Sequence, residues 1–137
     1  MVTIIFETHA TTVDNEEGRA SGHTDSPLSA LGETQAREMG KRYRGEEFAA
    51  IFCSDLARSY RTAEIAFAGR EVNIIKDARL RECDSMKRFL GGLLAGYNGK
   101  QVLIVGHRAT QYGLMHWIDG MSLEEAVTAP WAWQPGW

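Results

Sequence analysis

The hydrophobic positions of this chain form two patterns, which together predict strands that alternate with helices. Four short apolar runs are typical of buried strands: residues 2–7, 49–53, 72–75 and 101–106. Four longer stretches place apolar residues at helical spacing: residues 28–44, 54–67, 86–97 and 109–118. This order predicts a three-layer α/β/α sandwich with a mainly parallel central sheet, formed by a single domain over residues 1–137.

The details of the pattern predict how these helices begin and which faces they bury. The apolar face of the first long helix consists of Leu28, Leu31, Ala36, Met39 and Tyr43. Ser54 is a suitable N-cap for the next helix, whose apolar face is Leu56, Tyr60, Ala63 and Phe67. The pair Gly91-Gly92 weakens the helix over 86–97. Residues 10–27 and 77–84 lack periodicity and are predicted to be loops, and a loop as long as the first is usually functional.

The last eight residues, Pro130–Trp137, hold three of the four tryptophans of the chain. We expect these side chains to close over an apolar patch of their own domain. A contact between two copies of the chain is the alternative, because aromatic residues are concentrated at interfaces. A homodimer contact is therefore the second expectation for this segment.

Composition excludes several classes of protein and of partner. The chain is 44% hydrophobic and 24% charged, with a formal net charge of −3, so nothing indicates nucleic-acid binding. No apolar run approaches the roughly 18 residues that span a bilayer, so no membrane partner is expected. The first residues lack the layout of a secretion signal, and Cys53 and Cys83 do not form a disulfide framework. We therefore expect a cytoplasmic protein.

The candidate chemistry lies where strands end and helices begin. His9 follows the first predicted strand and His107 follows the last, while Arg58 lies near the start of a helix and Glu82 lies in the loop over 77–84. In a parallel sheet these junctions share one edge, which is where open α/β sheets bind ligands. A neutral imidazole is a nucleophile, arginine binds phosphate oxygens, and a carboxylic acid protonates a leaving oxygen. Together these residues favour phosphoryl transfer.

Each of these residues also has a simpler interpretation when taken alone. A single histidine at a strand end is more often a hydrogen-bonded structural residue, and Arg58 or Glu82 alone would more often be solvated. His23 and His116 have no motif around them and are assigned to that class. No His-x-x-His or Cys-x-x-Cys spacing supports a metal site, so none is predicted.

Four motifs in the same order resemble those of one family, the phosphoglycerate mutase-like branch of the histidine phosphatase superfamily. The first motif of that family runs from Arg-His-Gly-(Glu/Gln)-(Ser/Thr), through an Asn, an Arg and a Gly, to Asp-x-Pro-Leu-(Ser/Thr)-x-x-Gly. The other three are Ser-x-Leu-x-Arg-(Ala/Ser)-x-x-Thr-Ala, Leu-x-Glu and Ser-His-Gly. The corresponding segments here are Thr8–Thr12 with Asn15, Arg19 and Gly22, then Asp25–Gly32, Ser54–Ala63, Leu80–Glu82 and Gly106–Arg108. They cover most of the chain, so the resemblance is far more specific than any one motif.

The resemblance implies a fold and a role for each matching residue. It implies a phosphoglycerate mutase-like fold in which His9 is the nucleophile that becomes phosphohistidine. Arg58 and His107 would bind the phosphate, and Glu82 would protonate the leaving alcohol and later activate water. Asn15 matches a further phosphate contact. The substrate would be a small phosphorylated molecule, and neither a metal nor an organic cofactor is implied.

The chain departs from the family pattern at three places. Thr8 stands where the family has a phosphate-binding arginine, and we expect Thr8 to contact the phosphate from the same position. Loss of one charge-assisted phosphate contact costs about 1.5–3 kcal/mol. Arg108, where the family has a small residue, could supply the missing charge to the phosphate-binding site; the alternative is that it faces solvent. Ala10 replaces a glycine, which implies either that no positive φ is needed or that the pocket wall has shifted. The lid insertion that follows Glu82 in the family is short or missing.

The sequence therefore predicts a phosphatase that hydrolyses a small phosphomonoester through a phosphohistidine on His9. One alternative is phosphoryl transfer of the phosphoglycerate mutase type, which a short lid disfavours because a mutase must protect its intermediate from water. The other is a catalytically weak relative that binds a phosphorylated ligand or a protein, which Thr8 and the tryptophan-rich end would favour.

Overall fold

The computed structural model describes residues 1–22 and 24–129 of the chain. Within these residues it has four strands: β1 (Thr3–Thr8), β2 (Ala50–Cys53), β3 (Ile74–Lys76) and β4 (Gln101–Gly106). Its helices are α1 (Val13–Glu16), α2 (Ala30–Arg42), α3 (Ala57–Ala66), α4 (Met86–Gly96), α5 (Arg108–Trp117) and α6 (Leu123–Thr128), with a 3₁₀ helix over Ala78–Arg81. The alternation of strands and helices is as predicted.

The strands form one parallel sheet in the order β1-β4-β2-β3. In the register of the two neighbours β1 and β4, Thr8 lies opposite Gly106. The residue that follows each of these is a histidine, so the sheet itself brings His9 and His107 to the same edge. The backbone N–H of His9 donates to the Gly106 carbonyl at 2.9 Å, which continues the pairing up to the histidine.

A separate apolar layer covers each face of the sheet, which confirms the three-layer architecture. On one face α4 and α5 pack over the sheet through side chains that include Phe6, Phe52, Met86, Ile104 and Leu114. On the other face α2 and α3 do so through side chains that include Met39, Ile51, Ala63, Leu103 and Val105. Consecutive β4 residues therefore alternate between the two layers, as expected of a strand that is buried on both faces.

Two glycines allow α2 to lie close to its neighbours. A side chain at Gly40 would collide with the backbone carbonyl of Ala66 on α3, and one at Gly32 would collide with the carbonyl of Thr11. Gly32 therefore sets the first turn of α2 directly against the segment that follows His9. This contact fixes the position of α2 relative to the edge of the sheet where the histidines lie.

Two predicted features of the helices are wrong. Ser54 is not the N-cap of α3, because the helix begins at Ala57 with Leu56 in the N-cap position, and the hydroxyl of Ser54 instead contacts His107. Leu31 does not belong to a buried face: it is 50% exposed, whereas Ala36 and Met39 are buried. At 100° per residue, Leu31 lies about 140° around the helix from Ala36, so the two side chains do not share a face.

The predicted loops contain short ordered elements. Residues 10–27 include α1, which begins with a reciprocal capping box between Thr12 and Asn15. The segment over 77–84 includes the 3₁₀ helix, capped by the side chain of Asp77. The sequence analysis also missed α6, although Ser122 and Glu125 form the capping box that signals its start. Between Glu82 and the start of α4 at Met86 only three residues intervene.

Two predictions fall on residues that the structure does not describe. His23 and the tryptophan-rich segment Pro130–Trp137 lie outside the described residues, so the packing predicted for the tryptophans is not tested. Within residues 1–22 and 24–129, no helix combines the length and the apolar character needed to cross a membrane.

Candidate active site

The two histidines that follow β1 and β4 lie side by side. Their ring centroids are 5.2 Å apart, with the ring planes tilted by 57°. His107 is 8% exposed and is the N-cap of α5, and its backbone N–H donates to the hydroxyl of Thr110 at 2.8 Å. Sequence reasoning predicted that the sheet would bring these residues together, and the structure confirms it.

One ring nitrogen of His9 is held by the backbone, which leaves the other for chemistry. Nδ1 lies 2.7 Å from the carbonyl oxygen of Ala10. A carbonyl only accepts hydrogen bonds, so Nδ1 carries the proton of the neutral ring and donates it. Nε2 then has the free lone pair. This is the tautomer that a nucleophilic histidine requires.

The surroundings of His9 also keep its ring neutral. Burial is the main cause and lowers the pKa of His9 from 6.5 to about 4. The hydrogen bond to Ala10 raises the pKa, and the positive charge of Arg58 lowers it. At neutral pH the imidazole is therefore unprotonated, and its lone pair on Nε2 is available.

This shift makes the stability of the protein depend on pH. A histidine whose pKa is 6.5 in the unfolded chain and about 4 in the folded protein is protonated more readily when unfolded, so stability falls as pH drops from about 6.5 to 4. Between pH 7 and pH 5 the free energy of unfolding should decrease by about 2 kcal/mol more in the wild type than in His9→Asn. Urea unfolding of both proteins at the two pH values measures this difference. Equal decreases would show that His9 titrates normally.

Arg58 lies in the first turn of α3 and is 6% exposed, so it is not the solvated residue that its sequence context alone would favour. Its Nη1 donates to the carbonyl of Thr24 at 2.7 Å, and its Nη2 donates to the carbonyl of Gly22. The backbone carbonyl of Arg58 accepts from the hydroxyl of Thr62 at 2.6 Å. The two bonds to Thr24 and Gly22 hold the guanidinium group in place. Its positive charge lies close enough to His9 to lower the pKa of the imidazole.

Thr62 links Arg58 to the backbone beside His9. The hydroxyl of Thr62 accepts the N–H of Ala10 at 3.0 Å while it donates to Arg58. Ala10 is buried, and its φ is not positive, so the backbone adopts an ordinary conformation where the family has glycine. Of the two interpretations offered for Ala10, the structure supports the one in which no positive φ is needed.

Ser54 is a site residue whose role the sequence analysis missed. Its hydroxyl lies 2.6 Å from Nε2 of His107, and it also accepts the N–H of Leu56 at 3.3 Å. The hydroxyl of Ser59 in turn accepts the N–H of Ser54 at 2.8 Å and donates to Val105. The sequence contains the motif Ser-x-Leu-x-Arg that begins at Ser54, but the pattern around this serine predicts only a helix cap. The pairing with His107 depends on β2 and β4 being neighbours.

A cavity of about 650 Å³ adjoins His9 on the side of α2. Its lining includes the three residues predicted to bind substrate or phosphate: Thr8, Asn15 and Arg108. The side chain of Asn15 also accepts the N–H of Thr12 at 3.1 Å, so it has a structural role in α1 as well. Arg108 is exposed and lies over the ring of Tyr112, with 5.7 Å from the guanidinium carbon to the ring centroid.

The structure places Glu82 at the end of the 3₁₀ helix, exposed to solvent. In the preceding residue, Arg81, Nε and Nη2 donate to the two carboxylate oxygens of Asp55, at 2.5 and 2.6 Å. This ion pair ties the segment that carries Glu82 to the loop after β2. The predicted role of Glu82 as proton donor stays a prediction.

The cavity also contains charged residues that the sequence analysis did not single out. Glu7 is 1% exposed. Its carboxylate accepts hydrogen bonds from Arg42 in the last turn of α2 and from Tyr43, the residue that follows this helix. The only signal in the sequence was an acidic residue inside an apolar strand. Among residues 1–22 and 24–129, no group of three or more His, Cys, Asp or Glu side chains is arranged to hold a metal ion.

Comparison with known proteins adds a family and a fold to this geometry. The family model described as "Histidine phosphatase superfamily (branch 1)" matches residues 4–88. A probable phosphoglycerate mutase GpmB of Klebsiella pneumoniae is 44% identical over 84 residues, which are 61% of this chain and 39% of that protein. A protein of the same description from Salmonella arizonae is 38% identical over 128 residues, or 91% of this chain and 58% of the relative. The chain thus spans 39% to 58% of the length of these two relatives.

Solved structures share the fold over nearly the whole chain. Bacillus stearothermophilus YhfR has a TM-score of 0.88 and 26% identity, and the match covers 98% of this chain and 88% of that one. A putative alpha-ribazole-5'-P phosphatase from Escherichia coli has a TM-score of 0.86 and 20% identity, with 93% and 84% of the two chains covered. At that identity the second likeness shows the fold alone.

Proposed function

The chain belongs to the histidine phosphatase superfamily, and from this premise we propose that it hydrolyses a small phosphomonoester through a phosphohistidine on His9. One observation carries the proposal: His9 is neutral, with Nδ1 bound to Ala10 and the lone pair on Nε2, beside the buried cation of Arg58 and the ring of His107. A neutral nucleophile next to a fixed cation suits attack on an anionic phosphate.

In the first step Nε2 of His9 attacks phosphorus, and the bond between phosphorus and the ester oxygen breaks. Negative charge develops on the phosphoryl oxygens, where Arg58 and His107 stabilise it. The leaving oxygen takes a proton from Glu82 in its acid form and departs as a neutral alcohol. His9 now carries the phosphoryl group on Nε2, while Nδ1–H remains bound to the carbonyl of Ala10.

In the second step water attacks phosphorus and the bond between phosphorus and Nε2 breaks. Glu82, now a carboxylate, accepts the proton of the water, so both His9 and Glu82 return to their starting forms. Inorganic phosphate and the free alcohol are the products. The cavity of about 650 Å³ beside His9 offers room for the alcohol and for the attacking water.

Phosphoryl transfer of the mutase type is the second candidate, because relatives of this chain are described as probable phosphoglycerate mutases. A mutase returns the phosphoryl group to the bound product before water reaches it, and enclosure of the site serves that purpose. Only three residues separate Glu82 from α4, which leaves little chain to cover the site from that side. This supports hydrolysis over transfer.

One assay separates these functions from simple binding. The protein is incubated with p-nitrophenyl phosphate, a panel of phosphorylated metabolites and 3-phosphoglycerate, and both inorganic phosphate and the 2-phospho isomer are measured. Phosphate release without isomer formation is the result we expect. Stoichiometric isomer formation with little free phosphate would support the mutase. Absence of both products, together with tight binding of the same compounds in calorimetry, would support the weak relative that only binds a phosphorylated ligand.

A further inference from the structure

The buried carboxylate of Glu7 is unexpected for its position in the sheet. Glu7 lies in β1 between Phe6 and Thr8, on the strand face that also carries Ile5 and His9, because side chains alternate along a strand. It is 1% exposed. A buried carboxylate destabilises a fold unless it is paired, and replacement of a whole buried ion pair by well-packed apolar side chains is often neutral or stabilising. The acidic residue therefore calls for a reason other than stability.

The partner of Glu7 is Arg42, in the last turn of α2. Nη2 of Arg42 lies 2.7 Å from Oε1 and 3.1 Å from Oε2 of Glu7, and the hydroxyl of Tyr43 donates to Oε1 at 3.0 Å. A basic residue in the last turn already interacts favourably with the helix dipole, so α2 does not need Glu7 to retain Arg42. What these bonds supply is a fixed direction for one guanidinium group.

That guanidinium group belongs to the cavity beside the nucleophile. Arg42, Glu7 and His9 all line it, and the Arg42 side chain is 33% exposed. Glu7 and His9 are two residues apart on one strand face, a separation of about 7 Å between their backbone positions. A phosphomonoester whose phosphorus lies at Nε2 of His9 therefore has space for its alcohol part in the same cavity that Arg42 borders.

We propose that Arg42, held by Glu7, is a specificity-determining residue that binds a second anionic group on the leaving alcohol, either a carboxylate or another phosphate. This inference rests on the proposed function, since it concerns the alcohol part of the phosphatase substrate. Arginine suits the role because its planar guanidinium group can bind Glu7 at one side and a substrate anion at another.

The other charges of the cavity agree with an anionic rather than a cationic ligand. The charge of Glu7 is balanced by Arg42, and the second carboxylate of the lining, Glu38, is exposed and pairs with Lys41 at 3.4 Å. Arg108 adds a second positive charge to the lining. Both carboxylates of the lining are therefore already paired with a basic side chain, which disfavours a cationic ligand. The guanidinium groups of Arg42 and Arg108 border the cavity and favour an anionic one.

Matched substrates test the inference directly. Ethyl phosphate and 2-phosphoglycolate differ by one carboxylate, and propyl phosphate and propane-1,3-diol bisphosphate differ by one phosphate, so the two pairs also separate the two anion types. In the wild type kcat/KM should be higher for the anionic member of at least one pair. Arg42→Gln should reduce that preference about 10- to 100-fold, mainly through KM, because a charge-assisted contact is lost. Arg42→Lys should retain part of it, and Glu7→Gln should weaken it.

Arg44→Gln is the matched control, since Arg44 is an exposed residue just beyond the same helix and does not line the cavity. It should keep the wild-type preference. Calorimetric binding of the same four compounds to His9→Asn repeats the comparison without turnover. Absence of His9-dependent hydrolysis would reject the proposed function and leave this binding comparison valid. Equal affinities for the members of both pairs, or a preference unchanged in a folded Arg42→Gln protein, would overturn the inference about Arg42.

Discussion

Replacing His9 by asparagine is expected to lower kcat for phosphate release by about 10⁴-fold or more, because the variant has no nucleophile. Asparagine is polar and smaller than histidine, so it introduces no clash and can still donate to the carbonyl of Ala10, which accepts from Nδ1 in the wild type. Its amide group is not a nucleophile, because the nitrogen lone pair is delocalised into the carbonyl. Steady-state release of p-nitrophenol measures the loss.

The same variant reports on the intermediate. After brief incubation with radiolabelled substrate and quenching, the wild type should carry phosphate that is labile in acid and stable in base, and His9→Asn should carry none. His116→Asn is a matched control, because Nδ1 of His116 also lies close to a backbone carbonyl, that of Met121 at 2.6 Å, and this residue is placed in no catalytic role. It should keep normal turnover and labelling. Comparable turnover by His9→Asn and the wild type would refute a phosphohistidine mechanism at this position.

The sequence predicted those parts of the site that depend on local pattern and on sheet topology. His9 and His107 each follow a strongly apolar strand, and the parallel pairing of β1 with β4 places them side by side, with their ring centroids 5.2 Å apart. The prediction that Arg58 lies near the start of α3 is confirmed. Its burial could not be predicted, because it depends on the carbonyls of Gly22 and Thr24 in a loop without periodicity.

What the sequence could not predict are the contacts between residues far apart in the chain. The sequence predicts a helix cap at Ser54 because serine is a common N-cap. In the structure its hydroxyl instead pairs with His107, 53 residues away. Glu7 was counted in an apolar strand, and nothing near it in sequence indicated that Arg42 lies 2.7 Å from its carboxylate. Such pairs depend on how helices pack on the sheet, and the packing is decided by the whole core rather than by neighbouring residues.

Replacing Arg58 by glutamine is expected to reduce kcat/KM for p-nitrophenyl phosphate by about 10²- to 10³-fold, the effect typical of removing one donor to a developing anion. The loss should lie toward the upper end, because Thr8 provides no second guanidinium group next to the nucleophile. Arg58→Lys should recover only part of the activity, since an ammonium group cannot reproduce the fork that donates to two carbonyls. The pH at which His9 is protonated should also rise in Arg58→Gln, because a nearby positive charge has been removed.

Arg61→Gln separates this effect from a general change of charge on α3. Arg61 lies one turn further along the same helix, where it is exposed and pairs with Glu64 at 3.3 Å. Its replacement should leave kcat/KM within about 2-fold of the wild type, because a surface ion pair contributes little. Circular dichroism and thermal unfolding of both variants show whether the fold is retained. If a folded Arg58→Gln protein kept wild-type activity, Arg58 would have no part in phosphate binding, and the bonds to Gly22 and Thr24 would be its whole function.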